Sequence, residues 1–205
     1  MLYNPNNLSI QVTARLLSPQ GLPLAVSVNG VTASTMNTVL TPQGSLNLRL
    51  EDVGDVKAGW CQVFSSWPIS GLVIYQTVEG GKVISEATVY PSPRWKKTAV
   101  VAPQLGTNSD IGIAIANPWE YPVTGSMRLI NSAGVVITTS NFSLGAGQQS
   151  AKFISQYFQG LTSIPEGVVE ISSSQSLVAV GLLFQFQSAI QGNNVFTTIP
   201  ILPLP

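Results

Sequence analysis

The chain has 205 residues, nine basic and nine acidic side chains, and 9% charged residues in all, against about 25% in ordinary globular proteins. A neutral, charge-poor surface sets up no field to steer the chain onto nucleic acid or acidic lipid, and it protects only weakly against self-association. The absence of histidine removes the commonest metal ligand and general base, and a single cysteine excludes an internal disulfide.

In chain order, the start (Met1-Leu-Tyr-Asn-Pro5) has neither a charged leader nor a long apolar run, so no signal peptide is expected. Ser9–Leu17 alternates, with Ile10, Val12 and Ala14 on one face, and reads as a strand closed by the turn Pro19-Gln20-Gly21. After the turn Pro42-Gln43-Gly44, Leu46, Leu48 and Leu50 alternate with Asn47 and Arg49. Glu51–Lys57 reads as a loop. Its acids Glu51, Asp52 and Asp55 follow no EF-hand spacing, so no metal site is assigned. Trp60 and Cys61 begin the next strand, Trp67-Pro68 marks a turn, and Glu79-Gly80-Gly81 marks a hairpin. Pro91-Ser-Pro93 stiffens an exit, followed by the basic cluster Arg94-Trp95-Lys96-Lys97.

Beyond it, Thr98–Pro103 and Ile111–Ala116 read as strands joined by a turn at Gly106–Asp110. Asn117-Pro118 then leads into Trp119-Glu120-Tyr121. Ser150–Gln159 places Phe153, Ile154, Tyr157 and Phe158 at helical spacing with Gly160 as a stop, which predicts one or two turns of helix. Val169 and Ile171 flank Glu170, a half-buried strand. The longest apolar run, Leu177–Phe184, is strand-sized and far short of the ~20 residues a membrane span needs. Gly192-Asn193-Asn194 is a further turn.

These elements repeat. Leu2–Pro5 aligns with Ile115–Pro118 at an offset of 113 (117 − 4), and the match continues as Arg15-Leu16-Leu17 on Arg128-Leu129-Ile130 and Gly21 on Gly134. Gly59, Val63, Ser65 and Ser66 fall on Gly167, Ile171, Ser173 and Ser174 at offset 108. Gly80, Val83 and Ile84 fall on Gly192, Val195 and Phe196 at offset 112, with Pro91 on Pro203. Ordered matches with loop-sized drifts indicate duplication of one folding unit. The expected fold is all-β: two tandem immunoglobulin-like β-sandwich domains, residues 1–93 and 94–205, with a short helix in the second. On this alignment Cys61 takes the place of Val169 and is expected to be a buried core thiol.

The copies differ at the front. Met1 already corresponds to Ala114, so the first domain lacks a counterpart of Thr98–Ile113. A sandwich without that strand exposes unpaired backbone and core. Truncation from a longer array, remodelling of the edge, or donation of a strand by another chain would each account for it.

No Walker loop, dinucleotide fingerprint or nucleophile elbow is present, and Glu86, Glu120, Glu166 and Glu170 sit in no supporting motif, so no catalytic residue and no cofactor is assigned. Asn7-Leu-Ser9 and Asn141-Phe-Ser143 match the glycosylation sequon. The binding candidates are aromatic: Trp119, Tyr121, Trp67 and Trp95, rings able to stack on sugars or dock a partner, or equally to pack between domains.

The apolar strand ending in Asn-Pro (Ile113–Pro118, Leu2–Pro5), the Leu144-Gly-Ala-Gly-Gln148 turn, Gly167-Val-Val-Glu-Ile-Ser172 and the terminal Phe196-Thr-Thr-Ile-Pro200 together resemble the tandem β-sandwich repeats of large secreted and cell-surface proteins of soil bacteria. The first copy departs from them, with Ile84-Ser-Glu-Ala87 in place of the Phe-Thr-Thr-Ile signature. The resemblance implies an extracellular, non-enzymatic module whose partners are other copies of itself or neighbouring repeats, with strand donation as one route to a surface polymer. A carbohydrate-binding or adhesive module is the second reading. The third is a viral coat protein folded as one jelly roll, which the duplication and the lack of a basic arm weigh against.

Overall fold

The computed structural model describes residues 1–51, 58–103, 108–161, 163–186 and 195–205. Its elements are strands apart from one helical turn, α1 (Ile154–Tyr157). The first half holds β1 (Leu2–Tyr3), β2 (Ile10–Leu17), β3 (Val26–Val28), β4 (Val31–Ala33), β5 (Thr35–Leu40), β6 (Ser45–Leu46), β7 (Leu50–Glu51), β8 (Trp60–Ser65), β9 (Ser70–Gly71), β10 (Val73–Glu79) and β11 (Lys82–Val89). The second holds β12 (Trp95–Ala102), β13 (Ser109–Ala116), β14 (Val123–Asn131), β15 (Val136–Leu144), β16 (Gln149–Phe153), β17 (Gly167–Gln185), β18 (Val195–Ile199) and β19 (Ile201–Pro203).

The second half is two sheets around one core. One sheet runs β15-β14-β17-β12-β19; the other joins β16, β13, β17 and β18. The 19-residue β17 serves both: Gly167–Ser173 pairs with β14, and Val178–Gln185 pairs with β13. Period-two alternation sends Val100, Val123, Leu129 and Val169 inward from the first sheet to meet Ile111, Ile113, Ile115 and Ala179 from the second, in a single core cluster. The helix is one turn, within the one or two that the spacing predicts. Gln149–Phe153 is strand, held by pairing with β13, and only Ile154–Tyr157 turns, burying Ile154 and the following Phe158 in the core before Gly160 (φ +87°) ends it.

Parts of the first half match the second in register. In β2–β8, Ala14 pairs with Val63 and Leu16 with Cys61; in β14–β17, Met127 pairs with Ile171 and Leu129 with Val169. In β2–β5, Ile10 pairs with Leu40; in β14–β15, Val123 pairs with Leu144. The two Asn-Pro corners also coincide. Asn4 Nδ2 donates to the carbonyls of Leu8, Leu40 and Thr41 (2.8, 3.2 and 2.8 Å), and Asn117 Nδ2 to those of Tyr121, Leu144 and Gly145 (2.7, 3.2 and 2.8 Å). Both asparagines are fully buried. Each Oδ1 accepts the N–H two residues on, at 3.0 Å, an Asx turn that replaces missing ladder bonds.

Several expectations need correction. The offset falls from 113 at β2 to 104 at β5 (144 − 40), so the first half carries nine extra residues after the shared turn at Gly21 and Gly134 (φ +79° and +78°). These build β3 and β4, which with β7 form a small separate sheet. Leu46–Leu50 is therefore not one strand: it leaves β6, crosses between sheets, and ends in β7. The last strand aligns at offset 110, not 112. Val73 pairs with Val89 and Gly181 with Ile199, so the second connection is two residues longer (199 − 181 = 18 against 89 − 73 = 16). The Gly106–Asp110 turn lies outside the described residues up to position 107, as do Gly192-Asn193-Asn194 and Asp52–Lys57.

The halves touch directly. β11 lies beside β18, with the Phe196 N–H donating to Ser85 Oγ (3.1 Å) and Thr198 Oγ1 to the Thr88 carbonyl (2.6 Å). Trp60 Nε1 donates to the Gly147 carbonyl (2.9 Å), and the Gln149 N–H to the Pro19 carbonyl (3.0 Å). Gly21 sits so close that a Cβ there would lie 2.4 Å from the Ala146 carbonyl oxygen.

Candidate functional site

One flank distinguishes the two halves. In the second half, β12 covers the edge of β17, pairing Val100 with Val169 and Thr98 with Ile171, and β13 covers its other end, pairing Ile111 with Leu183 and Ile113 with Gly181. The first-half counterparts of those β17 positions, at offset 108, are Cys61, Val63, Tyr75 and Val73. Among the described residues, β8 pairs only with β2, and β10 only with β11. Among the described residues each of these edges therefore has one strand partner.

Burial follows. Val169 and Ile171 are 0% and 2% exposed, whereas Val63 is 41% exposed and Tyr75 47%. Cys61 is exposed, not the buried core thiol its alignment with Val169 implies. The physical reason is that β17 owes its burial to β12, and no described residue does the same for β8. The first-half core is correspondingly broken into two small clusters, Ile10 with Val12 and Leu40, and Leu16 with Val26 and Val28. A cavity of about 190 Å³ remains between its sheets, lined among others by Leu2, Val12, Met36 and Leu46.

The open flank has little acid–base character. Cys61 reaches solvent, yet the surrounding chain shades it enough that desolvation pushes its thiol above its ordinary value, the N-terminal ammonium pulling the other way. Tyr75 is raised by desolvation first and by the charge of Cys61 second. A thiol with a raised pKa is a poor nucleophile at neutral pH.

The aromatic candidates divide. Trp119 is half-buried against the second core; its Nε1 donates to the Ser176 carbonyl (2.7 Å), its ring stacks on Tyr121 (centroids 5.8 Å, 15°), and the Arg94 guanidinium lies 4.8 Å over it. Its π system thus already serves two neighbours. Tyr121 is exposed on the outer side of this stack. Trp67 is exposed at the β8–β9 turn, and Trp95 is half-buried on β12 opposite Leu177. Among the described residues no ring contact joins Trp67 or Trp95 to the Trp119–Tyr121 pair. Residue types alone missed a second aromatic group: Phe184 meets Phe153, Phe186 and Phe196 on the outer face of the β13–β17–β18 sheet. Phe184 leans over Gly112, where a Cβ would come within 3.0 Å of its ring.

The acids are structural where they are buried. Glu170 accepts from Arg128 Nε (3.0 Å) and Nη2 and lies 3.4 Å from Lys97 Nζ. Asp110 accepts from the Ile111 N–H (2.7 Å) and from Ser155 Oγ. Among the described residues no group of three His, Cys, Asp or Glu side chains could hold a metal ion. Comparison of the chain with family models, with curated proteins and with solved structures returned no match.

Proposed function

We propose that this protein is a non-catalytic structural or assembly module of the cell exterior, built from two tandem immunoglobulin-like sandwiches, 1–93 and 94–205, that descend from one unit. The observation that carries this reading is the open flank of the first copy: the register that buries Val169 and Ile171 in the second copy leaves Cys61 and Val63 bare in the first. Unpaired strand edges beside exposed apolar side chains are templates for pairing with another chain, and a surface with few charges opposes such pairing weakly. The identical Asn4 and Asn117 corners support common descent. Light scattering behind size-exclusion chromatography, with negative-stain microscopy, tests the assembly role. Concentration-dependent oligomers or filaments are expected; a strict monomer up to the highest soluble concentration overturns it.

A further inference from the structure

We infer that the open flank of the first half is a seat for one particular kind of ligand: an extended polypeptide segment of the class of Trp95–Ile113, running antiparallel along the Gly59–Phe64 edge. The inference deepens the proposed assembly role and rests on it only for biological context. Its grounds are internal. The same register, built on β14 and β17, is occupied in the second half by β12 and β13, so among the described residues the molecule displays both the empty and the filled form of one site.

The filled form specifies the ligand. β12 lays Thr98, Val100 and Ala102 inward, all buried, and turns Val101 out to solvent. Offset by 108, its partners Ile171, Val169 and Gly167 become Val63, Cys61 and Gly59. A segment seated on β8 therefore places its Thr98, Val100 and Ala102 equivalents against Val63, Cys61 and Gly59. Small, β-branched or aliphatic side chains at alternate positions fit this slot. The following strand, with the spacing of Ile111 and Ile113, would then cover Tyr75 and Val73 on β10.

Cys61 serves as a built-in reporter, because directly opposed side chains on antiparallel strands lie close enough for a disulfide. The probe is a synthetic peptide of residues 95–113 carrying V100C as a mixed disulfide with 2-thiopyridine. The Cys61 thiolate attacks the peptide sulfur, the Cys61–peptide disulfide forms, and 2-thiopyridone leaves, with no net oxidant required. The control peptide carries V101C, which faces away. If the segment seats in register, exchange becomes effectively intramolecular, and the V100C peptide labels intact protein at least about tenfold faster than the V101C peptide, with a rate that saturates. Val63→Lys, a change at an exposed position, abolishes that preference. Equal, unsaturable rates for the two peptides overturn the inference, even if light scattering shows assembly. Register-selective labelling of a strictly monomeric protein sustains the seat and removes the assembly role. Loss of labelling as the protein concentration rises, through shielding of Cys61 by a second copy, overturns the choice of ligand.

Discussion

Asn4 and Asn117 hold equivalent corners of the two halves. Each sits fully buried and offers its amide to three backbone carbonyls at the end of a strand and the turn beside it. Asn117→Ala leaves those acceptors in a dry corner, so a loss of about 2 kcal/mol or more is expected from urea unfolding; Asn117→Asp, which keeps the size but replaces the donor by a charge, should cost no less. Tyr157 makes a different prediction. Burial raises its phenol above the ordinary value of 10.0, while the hydrogen bond with Ser150 Oγ (3.0 Å) lowers it. Its folded pKa thus exceeds the unfolded one. The neutral phenol contributes its full stability below about pH 10, and that contribution is lost as pH rises from there through the folded value. Tyr157→Phe should flatten this part of the alkaline unfolding profile, measured by circular dichroism, while costing about 1 kcal/mol at neutral pH through its lost hydrogen bonds.

Paired strands of the two halves allow a matched experiment. Val63 and Ile171 occupy the same register on β8 and β17. Ile171→Ala should cost about 2–5 kcal/mol, the usual range for emptying a packed site, and Val63→Ala about 0.5 kcal/mol or less, because its side chain meets solvent. Equal losses in denaturant titrations would mean that the first flank is closed in solution. The strand alternation and the Asn-Pro corners were legible in the sequence, since each is a local pattern or a matched spacing. The burial of Cys61 was not, because period two only says which face a side chain takes. Whether anything covers that face depends on a neighbour distant in the chain. The nine-residue insertion was hidden for a related reason: β3 and β4 are three-residue strands, too short to show a period. The single helical turn was legible from its aromatic spacing, although Phe153 itself ends a strand. The contacts of Trp119 with Arg94 and with the Ser176 carbonyl were not legible, because those partners are distant in sequence.

Across the molecule, the core is distributed unevenly. The second half encloses one continuous cluster, the first two fragments and a cavity. Local stability follows such differences. Hydrogen exchange should therefore find the amides of β13, β14 and β17 protected longest, with those of β2, β5 and β8 exchanging sooner; the reverse order would contradict this account of where the packing lies. The contacts of Trp60, Pro19 and Gly21 with the 145–149 turn tie the halves together, and Gly21→Ala should loosen them, since a left-handed φ and a carbonyl at 2.4 Å both oppose a side chain there. The course of β17 has a mechanical consequence. In the second half a single unbroken spar runs through both layers, so they must shear together. Its first-half equivalent is spliced into β8, β9 and β10 around Trp67-Pro68, where proline interrupts the line of backbone donors. Under a stretching load the molecule has a stiff end and a compliant one, and the compliant end yields first.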